Sequence, residues 1–124
     1  MDSSIIATVL QLVVGLGLLN VWIVRSRSAT AYRGGAATSL REEFAVYGLP
    51  PAVFVVVGVL KVSAALVLIA GVWIDLPVAL AGAVVAALMV GAVAMHVRVG
   101  DPPRKAAPAT AMLAMSAALV LLTA

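Results

Sequence analysis

The sequence predicts an all-α integral membrane protein: four transmembrane helices in one bundle, with a short amphipathic helix lying in the interface within the first connection. Three observations carry this. Hydrophobic residues make up 65% of the 124 and charged residues only 10%, where a soluble domain has about 45–50% and 25%, so too few charges exist to cover a small fold in water. The mean hydropathy is +1.21, and the apolar residues gather in four runs, each near the roughly 20 that a helix needs to cross about 30 Å of hydrocarbon. The runs are long, rich in Ala and Leu, and lack the alternation that a lipid-facing barrel strand requires, which leaves helices. The chain contains no Cys, which excludes disulfides, thiolate metal sites and dithiol relays.

The spans are expected at about 5–24, 51–74, 76–97 and 108–124, forming a single membrane domain over 1–124. Asp75 and Pro77 mark a tight turn between the second and third, and Gly100-Asp101-Pro102-Pro103 breaks the chain after the third, since neither proline can donate within a helix. The last span, at about 17 residues, sits at the short limit for a crossing. No basic residue precedes the first run and Arg25 and Arg27 follow it, the wrong charge order for a secretory signal. Arg25, Arg27, Arg33 and Arg41 lie in the first connection, and Arg98, Arg104 and Lys105 in the third. Basic connections are retained in the cytoplasm, so both termini are expected outside it, in a multi-pass protein of a bacterial plasma membrane. The net charge of +3 is accounted for by this topology and points to no nucleic-acid partner.

Within the first connection, Ser39-Leu40-Arg41-Glu42 has the spacing of a capping box, and Leu40, Phe44 and Tyr47 follow on one side of a short helix that Gly48-Leu49-Pro50 ends. This element is expected to lie in the cytoplasmic interface as an amphipathic connector with solvated charges, or with Glu42 or Glu43 turned inward to a cation. In the third span Ala79, Ala83, Ala87 and Gly91 recur at every fourth position, with Gly82 and Ala86 beside them. Such small-residue ladders let backbones approach closely in lipid, so this face is expected against another helix of the same bundle, or otherwise against a second subunit. Gly15 and Gly17 offer a similar surface on the first helix.

Polar side chains within the hydrocarbon are expensive and therefore informative. Lys61 stands out: about ten residues beyond Pro51, at 1.5 Å each, it lies roughly 15 Å into the bilayer. A lysine at that depth costs about 2.5–3.5 kcal/mol and is expected to face the bundle interior or a wet cavity. There it would hold an anionic or carbonyl-bearing ligand, exchange a proton, or bond structurally to backbone carbonyls. The same counting brings Gln11, Ser63 and Ser116 within one or two turns of Lys61, and Met89 near its level, as the lining of one pocket. Asn20 and His96 fall near the cytoplasmic end, where His96 is expected as a hydrogen-bonding interfacial histidine or as a proton-transfer or ligand contact, with Asn20 a further ligand candidate. His96, without a second His or an intramembrane carboxylate, is not a metal site, because catalytic zinc needs about three protein ligands. Trp22 and Trp73, near span ends, read as aromatic-belt anchors.

At Gly48-Leu49-Pro50-Pro51, across Val57 to Gly71 with Gly58 and Lys61, and at Ala92 to Arg98 with His96, the chain resembles the DoxX-like family along nearly its whole length. The resemblance implies a small four-helix membrane protein with a Gly-, Ala- and Ser-containing second helix bearing Glu or Lys and an alanine-rich third helix ending in His. It also implies links to quinone-coupled sulfur oxidation, to membrane oxidoreductase complexes and to assembly. Lys61 stands where other members carry Glu, so a carboxylate-dependent role does not carry over, and branches that use cysteine pairs are excluded. Two function classes follow. One is an accessory or assembly subunit of a larger membrane complex, docking on a membrane protein partner or on its own copies. The other holds a hydrophobic small molecule, quinone-like or lipid-like, in an intrabundle pocket around Lys61; a quinone is then the cofactor to consider. Small multidrug export is disfavoured, because it relies on an intramembrane carboxylate where this bundle has a cation. The sequence contains no acid and base paired for catalysis, metal cluster or phosphate-binding loop, which favours the accessory reading and leaves enzymatic activity open.

Overall fold

A computed structural model describes residues 3–28 and 30–124. Helix α1 (Ser3–Leu19) runs into a wider π-helical turn, Asn20–Val24. The short α2 (Leu40–Val46) follows, then α3 (Pro51–Ala70), α4 (Val78–Arg98), a 3₁₀ turn (Pro103–Ala106) and α5 (Ala107–Thr123). Four segments are long and apolar enough to cross a bilayer: Ser4–Val24, Pro51–Ala70, Val78–Arg98 and Pro103–Thr123, of 20 or 21 residues each. The chain is a multi-pass, four-helix membrane bundle.

Two ends differ from expectation for local reasons. Helix α3 stops at Ala70 and turns through Gly71–Ile74; Pro77 disfavours helical geometry at Leu76, and α4 starts only at Val78. The last span is longer than about 17 residues, because the 3₁₀ turn runs directly into α5. Prolines 103 and 108 fit there, at the first positions of a helix, where their missing N–H groups have no intrahelical acceptor to lose.

The long helices pack in a closed ring, α1 against α3, α3 against α4, α4 against α5, and α5 back against α1. Val14, Ala65, Leu68, Val85 and Leu119 fill its centre with no exposure. Helix α1 crosses α3 at Gly15, where a Cβ would stand 2.7 Å from Ile69 Cγ1 and 3.1 Å from the Ala65 carbonyl oxygen. Side chains such as Leu16, Val59 and Leu80 point outward, as lipid-facing residues do.

The Ala79, Ala83, Ala87, Gly91 ladder is not the face α4 buries within the chain. Ala83, Ala87 and Gly91 are exposed and Ala79 is half-buried, while Ala81, Gly82, Val85, Met89 and His96 turn inward. The reason is energetic: an Ala strip loses nothing by facing acyl chains, whereas His96 needs polar partners and the larger Val85 and Met89 gain contacts inside. The expected packing of the ladder inside the bundle is therefore corrected, and the strip forms part of the outer surface.

The two kinds of glycine give a direct test. Gly15→Leu should lower thermal stability in detergent by about 1–3 kcal/mol through overpacking. Gly91→Leu, with nothing within 4 Å of its added Cβ, should leave it unchanged or raised, and equal losses at the two positions would contradict the packing described.

Candidate functional site

The polar chemistry collects at one end of the bundle, where both basic connections meet. Two glycine turns build it. At the end of α4, Gly100 takes φ +73, a left-handed conformation that L side chains avoid. The Gly100 N–H donates to the Val97 carbonyl at 3.1 Å and the Asp101 N–H to the His96 carbonyl at 3.0 Å, a Schellman motif. Asp101 is thereby turned back onto the last turn of α4, and its Oδ2 lies 2.7 Å from His96 Nδ1. The same motif closes α2: Gly48 has φ +77, its N–H reaches the Ala45 carbonyl at 3.0 Å, and the Leu49 N–H reaches that of Phe44 at 3.0 Å. At the other end of α2 the Ser39 hydroxyl accepts from the Glu42 N–H at 3.2 Å, and the Glu42 carboxylate accepts from the Thr38 N–H at 3.0 Å and from the Thr38 hydroxyl. Those Thr38 bonds, the hydroxyl's first, hold the exposed Glu42 carboxyl below the usual range. So capped, α2 lays Leu40, Phe44 and Tyr47 on the bundle, all buried.

Glu43 points inward with them. Its Oε1 accepts from the Tyr47 hydroxyl at 2.5 Å and its Oε2 from Arg33 at 3.4 Å. Arg33 spends its other donors on backbone carbonyls, Arg25 at 2.6 Å and Ser28 at 3.1 and 3.3 Å. The Tyr47 oxygen is 3.3 Å from His96 Nε2, and Glu43 Oε1 is 3.8 Å from it. Beyond His96, Asp101 Oδ1 accepts from the Gly35 N–H at 2.9 Å, and Lys105 donates to the Gly35 carbonyl at 2.6 Å while standing 3.8 Å from Asp101. A continuous polar chain thus links the first connection, α2, α4 and the start of the last span, with Arg33, Glu43 and His96 all buried.

The ionisation states follow from these contacts. Burial and then the Glu43 carboxylate push the Tyr47 phenol well above its ordinary 10.0, so Tyr47 is a protonated donor to Glu43. Burial alone would raise the Asp101 carboxyl, but the His96 and Gly35 hydrogen bonds with the Lys105 charge outweigh it and hold Asp101 below its ordinary 3.8. An ionised Asp101 can only accept, so His96 Nδ1 donates to it and Nε2 faces Tyr47 and Glu43.

Next to this chain lies a half-open cavity of about 630 Å³, within the range of about 300–1,000 Å³ that small-molecule sites occupy. Lys61, His96, Asn20 and Met89 line it. The Lys61 ammonium lies 5.3 Å from the centre of the Trp22 ring, a cation–π contact, and makes no hydrogen bond or ion pair among the described residues. Trp22 is half-buried rather than a free belt residue. It sits in the π-helical turn, over Gly58, where a Cβ would come 2.7 Å from the ring, and against Phe44 and Phe54 at 5.8 and 5.2 Å.

The other three ligand candidates are not part of the cavity. Gln11 is buried away from it and donates at 3.0 Å to the Leu68 carbonyl, an end-of-helix acceptor left open because the Val72 N–H bonds to Ile69 instead. Ser63 is exposed on the outer face of α3. Ser116 is fully buried and bonds to the Met112 and Leu113 carbonyls of its own helix at 2.7 and 3.2 Å. Depth counting does not say which way a residue faces. Conversely, Arg33, Glu43, Tyr47, Asp101 and Lys105 complete the polar site without having been grouped from sequence. The Gly100-Asp101 pair five residues beyond His96 was the readable signal, since a helix-ending glycine turns the next residue back onto the last turn.

The lowered Asp101 carboxyl sets the sign of a pH test. A depressed folded value contributes stability that is present above 3.8 and lost as the pH falls below it. Asp101→Asn should therefore lower the thermal midpoint at neutral pH, and the gap from wild type should shrink as the pH is lowered through the carboxylate range. A gap independent of pH would mean that Asp101 acts through packing alone.

The family model described as "DoxX-like family" matches residues 28–119, which takes in the first connection, α2, α3, α4 and most of α5 but not α1. No curated protein and no solved structure matches the chain. With Gly58, Lys61 and His96 inside a match that covers well over half its length, this four-helix membrane protein belongs to the DoxX-like family.

Proposed function

We propose that this protein binds an amphiphilic small molecule, quinone-like or lipid-like, in the cavity beside Lys61. The observation that carries the reading is the Lys61 ammonium itself. It lies within a membrane span, on the wall of a cavity of about 630 Å³, without a hydrogen bond or ion pair from the described residues. A lysine placed so deep is costly unless something meets it, and a bound oxygen-bearing headgroup is the partner that would. Apolar lining from Leu18, Val21, Met89 and Met112 suits the rest of such a molecule. His96, oriented from behind by Asp101, stands on the same wall, where it would give a proton to the bound headgroup or take one from it. In a bacterial plasma membrane with both termini outside, this end of the bundle would face the cytoplasm, since all the basic connections gather there.

Native mass spectrometry of mildly extracted protein tests this beside Lys61→Met. A discrete small-molecule adduct on wild type, absent from the variant, is expected, with the bundle equally or more stable, because Met removes a buried cost. An adduct retained by Lys61→Met would place the ligand elsewhere.

A second reading, an accessory or assembly subunit of a larger membrane complex, is favoured by the outward-facing Ala83, Ala87 and Gly91 strip. Small residues on an outer helix face are the surface on which a second transmembrane helix packs most closely. Under it, replacing Ala83 and Ala87 together by Leu should release a co-purifying polypeptide and leave the Lys61-dependent adduct intact. Unchanged association would remove that strip as the docking face.

A further inference from the structure

We propose that the headgroup held in the cavity is acidic, a carboxylate or a phosphate ester, so that the ligand is an anionic amphiphile and not a neutral quinone. The inference rests on the binding role proposed above and follows from how the charges around the cavity are paired. Among the described residues its wall carries four cations, Arg25, Arg33, Lys61 and Lys105, and one carboxylate, Glu43. Glu43 is committed: Arg33 holds Oε2 at 3.4 Å and Tyr47 holds Oε1 at 2.5 Å. Lys105 is committed as well, to the Gly35 carbonyl at 2.6 Å and to Asp101 at 3.8 Å. That leaves Lys61 and Arg25, neither of which forms an ion pair among the described residues.

A neutral carbonyl would accept a hydrogen bond from these groups but would leave the Lys61 charge uncompensated in a wall built largely of apolar side chains. An anion supplies the hydrogen bond and the counter-charge together. A single carboxylate already paired with Arg33 cannot neutralise a second cation. A cationic ligand is excluded by the same count. The side-chain amide of Asn20, exposed on the same wall, adds a donor that either kind of acid can use. Fatty-acid carboxylates and lipid phosphates both offer this chemistry, and the apolar lining accepts the chain of either.

Trp22 supplies the readout, because the Lys61 ammonium lies over its ring. In a Trp73→Phe background, which removes the exposed tryptophan at the opposite end of the bundle, Trp22 emission is titrated in an uncharged detergent with oleate, methyl oleate and 1-oleoyl lysophosphatidate. Oleate or the lysophosphatidate is expected to bind at least about tenfold more tightly than the methyl ester, the scale of one charge-assisted contact. The tighter of the two acids identifies carboxylate or phosphate as the headgroup. Lys61→Met and Arg25→Gln should each erase that preference; Arg25 is exposed, so its variant answers even if Lys61→Met folds poorly. Equal affinity for oleate and its methyl ester overturns the acidic headgroup and leaves an amphiphile site standing. If none of the three probes alters Trp22 emission, the acidic headgroup is overturned. The fate of the binding role then rests on whether wild type still carries a Lys61-dependent adduct.

Discussion

One end of this bundle is organised by the requirement that the buried carboxylate of Glu43 be satisfied. A charge taken out of water must be paired and hydrogen-bonded, or it costs several kcal/mol. Glu43 meets that condition with two side chains that are themselves buried, Arg33 and Tyr47. Each then needs its own partners. Arg33 turns back to the carbonyls of Arg25 and Ser28, which folds the first connection on itself. The Tyr47 oxygen meets His96, His96 meets Asp101, and Asp101 takes the Gly35 N–H with Lys105 alongside. No buried side-chain nitrogen or oxygen among the described residues lacks a hydrogen-bond partner. The connection is therefore docked by a chain of obligations that begins at one carboxylate and ends on the start of the last span.

That chain also explains why the cavity lies where it does. Away from this end the helices meet through small apolar side chains, Ala64 and Ala65 on α3 and Ala81 and Gly82 on α4, and close contact leaves little room. Near the polar end the packing changes. Helix α1 widens into a π-helical turn, which such helices often show at functional positions, and Trp22 is laid across Gly58 and not down into the bundle. The docked connection closes one side and Met89 and His96 the other. The space between them is bounded in part by Arg33, Glu43, His96 and Lys105, whose positions the polar chain sets.

The fold was legible because its main determinant is length and hydropathy: a run of about 20 apolar residues has few alternatives to a membrane helix. The capping-box spacing at Ser39 and the glycine stop at Gly48 located α2 for the same kind of reason, since both act through backbone hydrogen bonds between near neighbours. Rotation about the helix axis was not legible. The ladder from Ala79 to Gly91 marks a real strip, but in lipid a strip of small residues is as content facing acyl chains as facing a helix, so its periodicity cannot tell inside from outside. Ser63, Ser116 and Gln11 show the same gap from the polar side. Depth counting gives no direction, and the directions of Gln11 and Ser116 depended on which carbonyl lay nearby. Lys61 and His96 were legible because a charge or an imidazole in a span is too costly to ignore. The groups around His96 were legible only in part: an inward Glu43 was one of two readings of α2, whereas Arg33 and Asp101 lie outside the spans, where charged residues are ordinary.

The placement of Lys61 separates what the fold needs from what the site does. Within the polar chain every ionisable group is bound to another, and removing one would leave its partner buried and unpaired. Lys61 belongs to no such chain: its ammonium touches the Trp22 ring and otherwise faces the cavity. Replacing it with an apolar side chain orphans nothing, whereas replacing Glu43 orphans Arg33. Part of the wall's excess of positive charge therefore rests on a residue that the fold does not require. A carboxylate at the same position would reduce that excess, facing Glu43 with like charge and Arg25 with opposite charge, without disturbing a hydrogen bond of the scaffold. The charge preference of the cavity is in this sense a property of uncommitted side chains, Lys61 and Arg25, carried on a bundle held together by other interactions.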